Sequence, residues 1–101
     1  MKFAMNMLLW SSHLSEDQFD LFKQLKSQGY DGVEIPVFEG DETHYLKMAQ
    51  AISAAGLECS VVTCLSADAD PASGDENIRY AAQRKLEWVI DMAELLGARL
   101  V

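Results

Sequence analysis

Gly29-Tyr30-Asp31-Gly32-Val33-Glu34-Ile35-Pro36-Val37 carries a helix end, a tight turn and a buried strand in one run. Gly29 can take the left-handed conformation that closes a helix. Asp31-Gly32 is turn chemistry. Val33, Ile35 and Val37 favour a strand, and Pro36 marks its frayed end. Glu34 stands apart, because a carboxylate inside an apolar strand must be solvated, paired or used.

Upstream of this stretch, Phe3 to Leu9 is an apolar run broken only by Asn6. Such a run predicts a first strand, buried on both faces as in a parallel sheet. A helix follows the loop Trp10-Ser11-Ser12-His13. Ser15 and Gln18 form a capping box, and Leu14 and Phe19 can staple its start. Phe22 and Leu25 continue its apolar stripe to Gly29. Downstream, a second helix starts near Asp41 to Thr43, buries Tyr45, Met48, Ala49, Ile52 and Ala55, and ends at Gly56. A third strand is predicted over about 58–64. The Asp-, Ser-, Pro- and Gly-containing stretch 65–74 is a loop. A third helix begins near Asp75 and places Ile78, Ala82, Lys85 or Leu86, Val89, Ala93 and Leu96 inward. Gly97 ends it, and 98–101 begins a fourth strand.

Three segments repeat one pattern: 25–29, 52–56 and 93–97 each run from helix through Gly into an apolar strand. That repeat predicts an α/β fold with a parallel sheet and right-handed crossovers. One architecture is the N-terminal portion, β1-α1 to β4, of a (β/α)8 TIM barrel. The alternative is a small open flavodoxin-like sheet. A barrel needs ~200 residues or more, so residues 1–101 are expected to form a single partial barrel domain of three βα units and a fourth strand. The chain stops inside an apolar strand, which favours the partial barrel.

The formal net charge of −8 argues against nucleic acid or an anionic membrane as partner. The 50% apolar content suffices for a core. Met1 to Trp10 lacks the features of a signal peptide, and no run approaches the ~20 apolar residues of a membrane span. Cys59 and Cys64 lie on opposite faces of one predicted strand and suit free thiols in a reducing, cytoplasmic setting.

In either architecture chemistry gathers where strands end and helices begin. Trp10, His13, Glu34, Glu39, Asp41, His44, Cys64, Ser66, Asp68 and Asp70 belong there. Imidazoles and carboxylates together suit a divalent metal or sugar hydroxyls. Each residue also has a structural reading: solvated loop carboxylates, surface or cap-region histidines, a hydrogen-bonded core Glu34 or Asn6, a core Trp10, and a Cys64 acting as a small hydrophobe. No Gly-rich phosphate loop, GxSxG, HExxH or CxxC motif is present.

At Lys2-Phe3-Ala4-Met5-Asn6 with Trp10, at Gly29 to Ile35, at Ala54-Ala55-Gly56-Leu57-Glu58, and at Arg79 with Leu95-Leu96-Gly97-Ala98, the chain resembles the N-terminal part of the sugar phosphate isomerase/epimerase family, the xylose isomerase-like TIM barrel group. The resemblance implies a metal-dependent enzyme of carbohydrate metabolism that moves a proton next to a carbonyl. It implies a divalent ion (Mn, Mg, Co or Zn) held by later strands, with no catalytic or metal residue and no bound metal in these 101 residues. It makes Asn6, Trp10, Glu34 and Cys64 substrate-pocket wall residues, and the fragment alone inactive. Ketose epimerases of the group tend to carry an aromatic in strand one, where this chain has Asn6 and Met7. Two other readings stand beside it: a self-contained, non-enzymatic regulatory or binding domain, and a barrel hydrolase or endonuclease. A receiver-type domain needs an acidic pair after strand one, and Leu8-Leu9-Trp10-Ser11 occupies that place. The open edges of a partial barrel, lined by Phe3, Met5, Met7 and Leu100, predict self-association.

Overall fold

β1 (Ala4–Asn6), β2 (Gly32–Pro36) and β3 (Glu58–Val62) form one parallel sheet in a computed structural model of residues 1–101. Their order is β1-β2-β3, so each crossover moves to the next position. A doubly wound sheet would set β1 between the other two. The sequential order excludes that alternative and is the order of a barrel arc.

The helices α1 (Asp20–Ser27), α2 (Glu42–Ala55) and α3 (Glu76–Leu96) begin and end on local chemistry. A 3₁₀ turn over Glu16–Gln18 leads into α1, and the Gln18 side-chain oxygen accepts from the Ser15 N–H at 3.1 Å. Asp41 caps α2 by accepting from the His44 N–H at 2.8 Å, and Asp75 caps α3 through the Asn77 N–H at 2.8 Å. Gly56 and Gly97 close α2 and α3 in the left-handed conformation at φ 77° and 72°.

The core lies between one face of the sheet and the helices. Val33, Ile35, Cys59 and Val61 point there and meet Phe22 and Leu25 of α1, Tyr45, Met48 and Ile52 of α2, and Val89, Met92, Ala93 and Leu96 of α3. Strand alternation sends the neighbours the other way. Two cross-strand rows, Ala4–Gly32–Glu58 and Asn6–Glu34–Ser60, therefore lie on the face away from the helices. Lys85 is half-buried and Leu86 exposed, so the inward stripe of α3 passes through the lysine.

The sequence reading needs correction at both ends. Strand one ends at Asn6 rather than Leu9, because Met7–Leu9 turns as a 3₁₀ helix whose Leu8 N–H is held by Asn6 Oδ1 at 2.9 Å. Met7 is consequently fully buried and Met5 half-buried, which leaves Phe3 and Leu100 as the exposed apolar edge residues. The fourth strand is only begun. The Arg99 N–H donates to the Cys59 carbonyl at 3.1 Å, and the Val61 N–H donates to the Leu100 carbonyl at 2.9 Å. A regular parallel ladder would return the second bond to Arg99. The segment runs alongside β3 one residue out of step, as in a bulge.

Candidate functional site

The C-terminal ends of parallel strands carry the site in barrels of this kind, and here the best-defined polar group on the open face near that end is a pair. Asn6 closes β1 and Glu34 lies directly beside it on β2. The Asn6 Nδ2–H donates to Glu34 Oε1 at 3.0 Å. Asn6 is thus used twice, with its oxygen on the Leu8 N–H and its amide on the carboxylate. The pair still offers one carboxylate oxygen and one amide N–H on the open face. An acceptor next to a donor suits the hydroxyls of a polyol.

The other two expected wall residues flank this pair without joining it. Trp10 follows the 3₁₀ turn after β1 and is 42% exposed. Cys64 lies two residues beyond β3 and is exposed. Neither side chain hydrogen-bonds to Asn6 or Glu34. Cys64 lines a shallow hollow of about 310 Å³ with Ser66, Asp68 and Lys85. The Ser66 hydroxyl donates to the Asp68 carboxylate and holds that carboxyl below its usual range. Asp70 is occupied in its own turn, accepting from the Ala72 N–H at 2.8 Å. Cys59 faces the core, where burial pushes its thiol up to about 12.

The two histidines meet, which spacing alone could not reveal. His13 and His44 stack with ring centroids 4.4 Å apart. The contact extends through His44 to Phe19 and Tyr45, and from Tyr45 to Trp88 at 6.4 Å. Lys85 covers the Trp88 ring at 4.3 Å and donates to the Phe38 carbonyl. This belt ties the loops after β1 and β2 to α2 and α3. Burial, then the neighbouring His13, lowers the His44 pKa, while Asp41 and Glu16 oppose the shift. The Tyr45 hydroxyl donates to the Glu39 carbonyl, and burial with the Glu39 carboxylate raises it to about 12. Tyr45 thus acts as a packing and hydrogen-bonding group, whereas His44 packs with its Nε2 buried and without a hydrogen-bond partner.

No three His, Cys, Asp or Glu side chains converge in an arrangement that could hold a metal ion. The divalent ion implied by the family resemblance finds no ligand set among these residues. At the opposite, N-terminal end of the strands the groups are structural. Lys2 Nζ meets Glu58 Oε1 at 2.6 Å across Gly32, Arg99 approaches the same oxygen at 4.0 Å, and Asp31 accepts from the Phe3 N–H at 2.8 Å. The Lys2 hydrogen bond, then its charge, lowers the Glu58 carboxyl. No helix is long and apolar enough to cross a membrane.

No family model matches the chain, and no curated protein matches it by sequence. Solved structures do match. D-allulose 3-epimerase from Methylomonas sp. superposes with a TM-score of 0.84 at 22% identity, over 99% of this chain and 35% of its own. An L-ribulose 3-epimerase gives 0.84 at 21%, with the same coverage of both chains. D-psicose 3-epimerase from Clostridium cellulolyticum H10, solved with D-tagatose, gives 0.81 at 19%, over 97% of this chain and 35% of its own. The fold is that of the N-terminal third of a (β/α)8 TIM barrel. The chain spans about a third of the length of the structures it matches.

Proposed function

We propose that the chain is the N-terminal part of a metal-dependent sugar or sugar phosphate isomerase/epimerase and supplies one wall of its substrate cleft. The Asn6–Glu34 pair carries this reading. It places an acceptor and a donor side by side on the open face of the sheet, with Asn6 at the C-terminal end of β1 and Glu34 midway along β2, near where a barrel binds substrate. The likeness to ketose 3-epimerases supports a polyhydroxylated, carbonyl-bearing substrate. In this reading Glu34 and Asn6 bind substrate hydroxyls, Trp10 packs its ring against the apolar face of the sugar, and Cys64 borders the cleft on the far side of Glu34.

In this reading the groups that would move a proton next to the carbonyl, and any that would hold a metal, belong to strands outside these 101 residues. The isolated chain is therefore a binding wall without turnover. Incubation with D-psicose, D-tagatose or D-fructose and Mn²⁺, Mg²⁺ or Co²⁺ should give no epimerisation above background. Amide chemical shifts around Asn6, Trp10 and Glu34 should move on titration with the same ketoses at millimolar concentration, and Glu34→Ala should abolish the shifts. Turnover by the isolated chain would show that catalytic groups lie within it. Shifts confined to the Lys2–Glu58 end would place sugar binding elsewhere.

A further inference from the structure

The loops after β1 and β2 are fastened together at a pair of imidazoles. A tight local turn presents His13: the Ser11 hydroxyl accepts from the His13 N–H at 3.0 Å and donates to the His13 carbonyl at 2.9 Å. The His13 ring stacks on that of His44, the third residue of α2, with 24° between the planes. Gly40 seals the contact from the loop after β2. A Cβ there would lie 3.0 Å from His13 Cε1 and 3.2 Å from Tyr45 Cε2, and its φ of 118° suits glycine. Phe19, just before α1, packs on His44 with ring centroids 6.1 Å apart. All of these groups lie within the first two βα units.

We propose that the stacked His13–His44 pair is a proton-operated latch, which holds the loop after β1 against the loop after β2 while both rings are neutral and releases it when His44 is protonated. The Leu14 carbonyl is the acceptor beside the His44 ring, so the neutral ring carries its proton on Nδ1. Nε2 keeps a bare lone pair, buried and unpartnered. A proton added there would bury an N–H with no acceptor and set a positive charge against the face of a second imidazole. Opening gives that nitrogen to water. The groups that oppose opening are acidic. Glu16, before α1, is already paired with Lys47 of α2 at 3.0 Å, and Asp41 is engaged on the His44 N–H. Tyr45 is tied to the Glu39 carbonyl, and from α3 Lys85 sits over Trp88, whose ring meets Tyr45. Burial and His13 outweigh the pull of Asp41 and Glu16. The released ring, near its ordinary 6.5, therefore takes the proton first as pH falls, and the latch is closed above about 6.5 and opens below it. Under the sugar-binding reading Trp10, three residues before His13, would loosen from the cleft in acid. The latch itself rests on these contacts alone, so either can fail without the other.

Nuclear Overhauser contacts followed from about pH 8 to about pH 5 test it. The contact between the His13 Cε1 proton and the Gly40 Cα protons should be present at the upper end and vanish as the His44 ring titrates. Contacts between β2 and β3, among them Val37 to Val62, should persist throughout, because release is local. His44→Phe keeps a ring for the stack and removes the proton site, so the Gly40 contact should survive at the lower end. His13→Phe leaves His44 without a like-charged neighbour but still with a buried Nε2, so its ring should part from Gly40 only at a lower pH than in the parent. The parent titration and His13→Phe decide the matter if His44→Phe does not fold. A Gly40 contact that survives titration of His44, a loss that coincides with loss of the β2–β3 contacts, release at the parent's pH in His44→Phe, or release in His13→Phe at a pH no lower than the parent's would overturn the latch.

Discussion

Gly32 has no room for a side chain. A Cβ there would lie 3.0 Å from the Glu58 carbonyl oxygen and 3.4 Å from the Glu58 Cβ. The obstacle is backbone, which cannot swing aside. Gly32→Ala should destabilise the fold by about 1–3 kcal/mol in urea titration, and an unchanged midpoint would show that β3 can retreat. This glycine was legible only as a turn residue, since its packing role depends on a strand 26 positions away in register. Glu34 was legible as an anomaly, and the alternation that sends it away from the core follows from Val33 and Ile35. Its partner was not, because the Asn6–Glu34 bond needs the β1–β2 register. His44 gives the residue scale its pH dependence. Its pKa is held below 6.5 in the folded state and returns there on unfolding. The unfolded chain therefore takes the proton first as pH falls, so the stabilisation is full above about 6.5 and is lost below it. Urea midpoints should drop between about pH 7.5 and pH 5.5, and His44→Phe should flatten that slope. Glu58, whose carboxyl is lowered mainly by Lys2, has the same sign of dependence but only in the carboxylate range.

At the level of elements, the helices were the readable part because their ends are written in single residues. Asp41, Asp75, Gly56 and Gly97 stand where local capping chemistry requires them. Asp75→Ala should cost about 1 kcal/mol, read as a shift in the thermal or urea midpoint. The restoring control is Asp75→Ser, which keeps an oxygen acceptor for the Asn77 N–H. The ends of the outer strands were less readable. An apolar run from Phe3 to Leu9 looks continuous, yet the Asn6 side chain competes for the Leu8 N–H and folds the second half into a turn. The segment after Gly97 has strand-like residues, but its bonds to β3 are one residue out of step. Hydrophobic pattern cannot distinguish Lys85 from Leu86 as the inward residue. The choice is made by the Trp88 ring and the Phe38 carbonyl, which receive the lysine head while its stem lies among apolar groups.

For the whole molecule the parallel order was predictable from the threefold helix–Gly–strand repeat, and the sheet confirms it. The shape of the wall was not, since nothing in the spacing brings His13 onto His44 or separates Cys64 from Glu34. Only 20 of 101 residues are buried, which places stability at the low end for a domain. Under dilute conditions the unfolding free energy should be no more than about 5 kcal/mol, measured by urea extrapolation, and a value well above this would point to burial beyond that of a single copy. The unequal pairing within the sheet bears on how the chain assembles in time. β2 and β3 share five register positions, from Gly32–Glu58 to Pro36–Val62, whereas β1 and β2 share three. The ladder with more pairs also packs against the longer helices, α2 and α3. Residues 32–97 should form one cooperative unit that persists when residues 1–10 detach, and the first strand should dock last. Native-state amide exchange would then show Met5 released by a partial opening, well before the protons of Ile35 and Val61 exchange through global unfolding.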